Sequence, residues 1–278
     1  MEFWNHIYEQ FDPVAVNLFG LPVHWYGMMY VLALVTALYA GKIIAKYDKE
    51  DVTQKQLDDY FIYVEIGVIL GARIGYIVFY DPNTLEYLTA PWQIFNPFHN
   101  GEFVGIRGMS FHGAVIGFFA GSFTYYFRTK APIWRILDIA VIAVPAGYVF
   151  GRIGNFLNQE LVGRATDSAL GIYVDGVLRH PSQLYEALLE GVIVFIVLFL
   201  YRKHKHYEGE LILVYGFMYG LMRFIAEFWR QPDPQLGFIC CGWLTKGQEL
   251  SSFMIVGSAI LLVYFYKKNL KKPFKKVS

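Results

Sequence analysis

Residues 139–163 read IAVIAVPAGYVFGRIGNFLNQELVG. The first half offers no polar face to water, and the second carries an arginine, two asparagines and a glutamate. Each charged group is costly to place in hydrocarbon, so the two halves predict a membrane-crossing helix that delivers polar chemistry to one surface of the bilayer. The whole chain agrees: 55% of its 278 residues are hydrophobic, 18% are aromatic and only 17% are charged, which lies outside the soluble range. A net charge of +1 without a basic arm gives no sign of a nucleic-acid partner. The two cysteines, Cys240 and Cys241, are adjacent and provide neither a disulfide framework nor the spacing of a metal site. The stretch MEFWNHIYEQFDP (1–13) lacks the basic start and short apolar core of a cleavable signal, so the first hydrophobic segment is expected to stay in the protein.

Apolar windows of about 20 residues fall at 18–41, 58–80, 109–128, 134–156, 182–201, 210–229 and 249–266. They predict an all-α polytopic membrane protein with seven transmembrane helices in a single domain, 1–278. The loops after the first, third and fifth spans carry four, three and three Lys or Arg, and the tail carries six. The opposite side carries five: Arg107, Arg164, Arg179, Arg230 and Lys246. The positive-inside rule then places the N-terminus outside and the C-terminus in the cytoplasm. Residues 159–181, between the fourth and fifth spans, become a small external segment, with GIYVDGVLRHP (171–181) read as a β-hairpin around Asp175-Gly176.

Glycines recur every four residues at Gly67, Gly71 and Gly75, at Gly113, Gly117 and Gly121, and at Gly147 and Gly151. Such stripes predict close helix packing and locate a core, not chemistry. The polar residues are more telling once oriented. His24 and Tyr26 begin the first span, His112 begins the third, and Arg152, Asn155 and Asn158 end the fourth. His180, Tyr185 and Glu186 open the fifth from the same side, and Arg73 and Arg223 fall in the outer halves of the second and sixth. Tyr215, Tyr219, Arg223 and Glu227 recur every four residues along one helix face. Singly, each has a structural explanation: an arginine pairs with a carboxylate such as Glu65 or Glu227, and a terminal aromatic belongs to the interfacial belt. Together they crowd the outer half of six spans, while Asp138 is the main polar residue of the inner half. The alternative, a lipid or solute transporter, calls for polar residues through both halves.

Elimination narrows the chemistry. There is no G-x-S-x-G elbow, and Ser110 lies two positions before His112, where a helix turns the side chains apart. No metal-ligand spacing and no phosphate loop ending in Lys-Ser/Thr is present, so neither metal nor cofactor is expected. A histidine able to take a proton remains, with arginines able to grip a phosphate and with amides and a carboxylate to orient them. That set suits an enzyme whose nucleophile belongs to one substrate and whose leaving group is a phosphate.

GRIGNFLNQELVG (151–163) resembles the signature of the prolipoprotein diacylglyceryl transferase family. The resemblance extends, in the family's order, to HWYGMMY (24–30), LGARIGYIVFY (70–80), GMSFHG (108–113), HPSQLYEALLEG (180–191), YGLMRFIAEFWRQPD (219–233) and GQELS (247–251). Gly113-Ala114 stands where the family usually continues FHGG, and IRGMSFHG replaces its usual approach to that histidine; neither change removes a side chain assigned a role here. The resemblance implies an enzyme of the bacterial cytoplasmic (inner) membrane with its active site toward the outer face. It further implies transfer of the diacylglyceryl group of phosphatidylglycerol to the lipobox cysteine thiol of a prolipoprotein signal peptide, forming a thioether and releasing glycerol phosphate. The implied partners are phosphatidylglycerol, the signal peptide and membrane lipid.

On that reading His112 is the first choice for the base, since a thiol of pKa about 8.5 is mostly protonated at neutral pH. Arg152 and Arg223 grip the phosphodiester and neutralise the departing phosphate, and Tyr26 orients the lipid or the base. Arg73, Asn155, Glu160 and Gly163 join Arg152 in lipid binding, with Glu160 holding an arginine. His24, Asn158, His180, Tyr185, Glu186, Tyr219 and Glu227 support them. A second mechanism lets the arginine field activate the thiol directly, with His112 positioning the phosphate. The orientation is checked by placing a cysteine at Thr166, which is expected to react with an impermeant maleimide from outside; labelling only from inside would overturn it.

Overall fold

A computed structural model describes residues 2–18, 20–81, 84–99, 102–103, 108–232 and 237–269. Arg107, Asp233 and the lysines beyond 269, which entered the reading above, lie outside the described residues. The fold is that of an all-α membrane protein with small antiparallel hairpins beside its helices. In chain order the long helices are α1 (Trp25–Tyr47), α2 (Gln54–Tyr80), α3 (Phe111–Thr129), α4 (Ile133–Leu157), α5 (Ser182–His204), α6 (Glu210–Ala226) and α7 (Lys246–Asn269). Five of them, all except α3 and α6, are both long and apolar enough to cross a bilayer. Helix α3 is diluted by glycine, serine, threonine and tyrosine, and α6 has 17 residues, near the lower limit for a span. Ile43, Phe253 and Ile260 are 65%, 69% and 62% exposed, the arrangement of a helix surface that meets lipid rather than water.

The first span, expected over 18–41, begins instead at Trp25. Val14–Leu18 and Leu21–His24 pair as an antiparallel hairpin before it. Gly20 takes φ +86°, and Pro22 has no N–H to give a helix, so the backbone turns there however apolar its side chains are. Helix α5 also departs from expectation: Ala187–Ile193 hydrogen-bond in the π pattern. Gly191 lies in this segment against α4, where an added Cβ would stand 2.5 Å from Val149 Cγ2 and 3.3 Å from the Pro145 carbonyl.

The chain forms two compact units, Met1–Lys49 with Leu137–Ser278, and Glu50–Ile136. In the second, the predicted glycine stripes meet. A Cβ on Gly67 or Gly117 would run into the other's carbonyl, as would one on Gly71 into that of Gly113. Backbones this close leave no room for side chains, and a buried Tyr60 Oη to Ser122 Oγ hydrogen bond of 3.1 Å adds a polar tie. A capping box at Thr53 and Gln56 starts α2, and Ser110 Oγ accepts from the Gly113 amide to start α3.

In the first unit Gly147 lets α4 approach α1, since its Cβ would lie 2.5 Å from the Ala33 carbonyl. Gly151, grouped with it by spacing, faces open space. Asp138 is fully buried and caps α6: its carboxylate accepts from the Gly209 amide at 3.0 Å and the Leu211 amide at 3.1 Å. The polar exception of the inner half is thus a helix cap. Segment 159–181 carries the predicted hairpin, Ile172–Val174 with Val177–Arg179, turned by Asp175 and Gly176 at φ +50° and +75°. The N-terminal residues pack on it through Tyr8, Phe156 and Ile172, and Trp4 Nε1 donates to the Leu170 carbonyl at 2.9 Å. Cys240 and Cys241 build no framework, as their adjacency implies, yet they are bonded to each other. Gly117→Val is expected to lower the melting temperature or abolish assembly, whereas Gly257→Ala, with nothing within 4 Å of its added carbon, should be neutral. Equal melting curves for the two variants would contradict the α2–α3 packing.

Candidate active site

Arg152 emerges near the C-terminal end of α4, and three different groups hold its guanidinium. Nε donates to Tyr148 Oη at 2.6 Å, Nη1 donates to Asn155 Oδ1 at 3.2 Å, and Nη2 pairs with Glu186 Oε2 at 2.9 Å. Tyr148 and Asn155 sit on the same helix at i−4 and i+3, so α4 itself builds two sides of the socket. The Tyr148 ring also lies 4.9 Å under the guanidinium carbon. Asn155 points its carbonyl at Arg152 and its amide at Glu160 Oε1, 2.8 Å away. Glu160, expected to hold an arginine, reaches Arg152 by way of Asn155. Its own backbone carbonyl accepts from Gln183 Nε2 at 2.5 Å, which ties the loop after α4 to the start of α5.

Arg223 comes from α6. Its Nη1 donates to Glu186 Oε2 at 2.9 Å and to Glu190 Oε1 at 3.4 Å, and its Nη2 donates to Glu227 Oε1 at 2.5 Å. One oxygen of Glu186 thus serves both arginines. Glu186, Glu190 and Glu227 are 0%, 1% and 3% exposed, a depth at which unpaired carboxylates would be prohibitive. Arg230 completes the set, with Nη1 3.5 Å from Glu186 Oε1 and Nε 3.8 Å from Glu227 Oε1. Three carboxylates face three guanidinium groups, so the cluster is neutral in formal charge. Removing one partner from such a pair costs about 3–5 kcal/mol because the other charge stays buried.

The surrounding segments fasten this cluster. Thr245 Oγ1 donates to Glu227 Oε2 at 2.7 Å, and Arg164 donates to the Glu227 and Arg230 carbonyls, both at 2.9 Å. At Gly247 an added Cβ would stand 2.5 Å from the Glu227 carboxylate and displace it. Gly163 lies where three backbone strands cross: its amide donates to the His180 carbonyl at 2.9 Å, and a Cβ would stand 2.6 Å from the His180 and Trp229 carbonyls. His180 Nδ1 lies 3.3 Å from Tyr185 Oη, and burial lowers its pKa, favouring a neutral ring. Tyr185 packs edge-on against Trp229, and Tyr219 against Tyr148. Tyr26 stands beside α4, where a Cβ on Gly154 would lie 3.3 Å from its ring. Asn158 and His24 make no side-chain hydrogen bond among the described residues; His24 is exposed at the start of α1.

His112 and Arg73 belong to the other unit. His112 is exposed in the first turn of α3, with Nδ1 3.3 Å from Tyr80 Oη. Arg73 is buried, donates to the Ile94 and Gly108 carbonyls, and lies 5.9 Å from the ring centres of both Tyr76 and Tyr87. It ties Ile94 to Gly108 and does not pair with Glu65 in any described contact. Tyr148, Glu190, Arg230 and Thr245 were not among the site residues expected from the sequence. Helical spacing could have found two of them, since Tyr148 precedes Arg152 by four residues and Glu190 follows Glu186 by four. Nothing local marks Thr245, which reaches Glu227 by way of a hairpin.

The fold and this cluster define a polytopic membrane protein that presents paired arginines from a buried, charge-balanced socket, a construction suited to an anionic lipid headgroup. The profile of the family described as prolipoprotein diacylglyceryl transferase matches residues 13–264. Proteins named phosphatidylglycerol-prolipoprotein diacylglyceryl transferase are similar throughout. That of Campylobacter lari is 59% identical over 98% of this chain and 99% of its own length. That of Campylobacter jejuni strain RM1221 is 57% identical over the whole of both chains, and that of Wolinella succinogenes is 57% identical over 96% of this chain and 97% of its own. The chain belongs to the prolipoprotein diacylglyceryl transferase family.

Proposed function

We propose that the cluster around Arg152 and Arg223 receives the phosphodiester of phosphatidylglycerol while the diacylglyceryl group passes to a prolipoprotein. The activity, prolipoprotein diacylglyceryl transfer, follows from family membership at this identity over the full chain. The observation that carries the assignment of the cluster is how much of each arginine is left over. A guanidinium has five N–H donors; the bonds described use three on Arg152 and three on Arg223. Among the described residues two on each are left for a phosphate, and carboxylates that balance the charge beforehand hold the guanidinium groups.

In the reaction a carbon–sulfur bond forms between the lipobox cysteine and the glyceryl carbon as the bond from that carbon to the phosphate oxygen breaks. The thiol proton goes to His112, and the phosphodiester leaves as glycerol phosphate with one additional negative charge. Arg152 and Arg223 meet that charge as it develops; one well-placed donor in a water-poor site contributes about 3 kcal/mol, roughly a hundredfold in rate. Tyr26 orients the lipid beside α4. Asn155 and Glu160 hold Arg152, Gly163 holds the loop that carries Glu160, and Arg73 shapes the segment before His112. Glu186 and Glu227 position the arginines, with Tyr219, Tyr185, His180, Asn158 and His24 around them. The whole chain acts as one transferase domain. Seven spans, with α3 and α6 added to the five apolar helices, set the N-terminus outside and the C-terminus inside. The site then opens toward the outer face of the cytoplasmic membrane, with 159–181 as its external segment.

Phosphatidylglycerol and a lipobox peptide supplied to the detergent-purified protein should yield glycerol phosphate. Arg152→Lys offers a point charge without the planar fork and is expected to lose turnover by about a hundredfold at parental stability. A parental rate in that variant would return Arg152 to a purely structural role. His112→Gln should abolish transfer with assembly intact, and near-normal transfer would assign thiol activation to the arginine field instead.

A further inference from the structure

We propose that Tyr148 is a positioning residue for transfer, whose hydroxyl sets the plane in which Arg152 presents its terminal N–H groups to the phosphate. The proposal rests on the assignment of Arg152 to the phosphodiester. Of the three groups that hold this arginine, Tyr148 alone takes Nε, at 2.6 Å, while Asn155 and Glu186 take one N–H from each terminal nitrogen. Terminal nitrogens exchange partners easily by rotation of the guanidinium about its stem. A fixed Nε together with a ring stacked 4.9 Å below the same guanidinium removes that freedom.

The hydroxyl is itself constrained. It accepts from Arg152, so its own proton has one direction to go, and it donates to Glu190 Oε2. The other Glu190 oxygen accepts from Arg223 Nη1 at 3.4 Å. Tyr148 therefore joins the two arginines by a second route, Arg152–Tyr148–Glu190–Arg223, beside the direct one through Glu186 Oε2. The two routes meet Arg152 at different nitrogens, Nε and Nη2, and converge on Nη1 of Arg223, so Arg152 cannot turn without disturbing both. The π segment Ala187–Ile193 contains Glu190 and follows directly on Glu186, so both carboxylates come from one irregular stretch of α5 and reach the same arginine. The Tyr148 ring stands edge-on to Tyr219, with centroids 6.1 Å apart, which holds it in place without using its hydroxyl.

Tyr148→Phe keeps the ring, its stacking and its packing, and deletes only the hydroxyl. With the arginine free to tilt, the ground-state phosphodiester is still bound, but the charge that appears on departure is met at the wrong angle. The expected result is a fall in kcat of about tenfold with KM for phosphatidylglycerol changed by less than about threefold. In an Arg152→Lys background no Nε exists for the hydroxyl to hold, so adding Tyr148→Phe should change the remaining rate by less than about twofold.

A Tyr148→Phe enzyme at parental kcat, an equal tenfold loss in both backgrounds, or failure of Tyr148→Phe to assemble would each overturn the assignment. A parental rate in Arg152→Lys alone would instead overturn the phosphate-binding reading on which this one stands. The two failures are therefore distinguishable.

Discussion

One oxygen of one carboxylate, Glu186 Oε2, accepts from Arg152 and from Arg223 at 2.9 Å each, with no exposure to solvent. Helices α4 and α6 each bring an arginine to a depth where a lone charge could not stay ionised cheaply, and α5 supplies the anion that makes both tolerable. The requirement is mutual, because Glu186 without its arginines would be a buried unpaired carboxylate. The same sharing keeps each arginine from being fully consumed. A bidentate pair would close its fork on one carboxylate, whereas a shared oxygen takes one N–H from each and leaves donors for the phosphate proposed to bind there.

Much of the nearby backbone is explained by the need to bring these groups together. The π segment of α5 and the glycine at 191 let that helix lie against α4 near Pro145 and Val149, while Glu186 and Glu190 reach toward α6. Gly163 permits the crossing that ties the external segment to the end of α6, and Gly247 leaves space for the Glu227 carboxylate. Thr245 then donates to Glu227 from a hairpin that also carries the bonded cysteines at its turn. None of these glycines is needed for flexibility. Each is needed because a methyl group would occupy the place of a carbonyl, a carboxylate or a neighbouring side chain.

The membrane character, the helix positions from 54 onward and the hairpin at 172–179 were legible in the sequence, because hydropathy, glycine spacing and an Asp-Gly turn are local signals. The start of the first helix was not: the window from 18 was apolar enough, but Gly20 and Pro22 govern backbone geometry, which hydropathy does not weigh. In the cluster, Arg152, Asn155, Glu160, Glu186, Arg223 and Glu227 were all singled out as residues, but only one of their pairings was foreseen. Glu227 was expected for Arg223 from helical spacing and is indeed one partner. Glu186 as a shared partner depends on the mutual placement of three helices and on a π turn, which a single sequence does not encode locally. Tyr148 was passed over because a tyrosine inside an apolar run reads as packing.

If the buried carboxylate and the arginines act as one unit, a double-mutant cycle on transfer rate tests that unit most directly. Glu186→Gln, Arg223→Gln and the double variant would be compared with the parent under saturating phosphatidylglycerol. Cooperation through the shared oxygen predicts a coupling of about 2 kcal/mol, so that the double variant is far more active than the product of the single losses implies. Losses that multiply to within about 0.5 kcal/mol would show that Glu186 and Arg223 act independently, and would contradict the account.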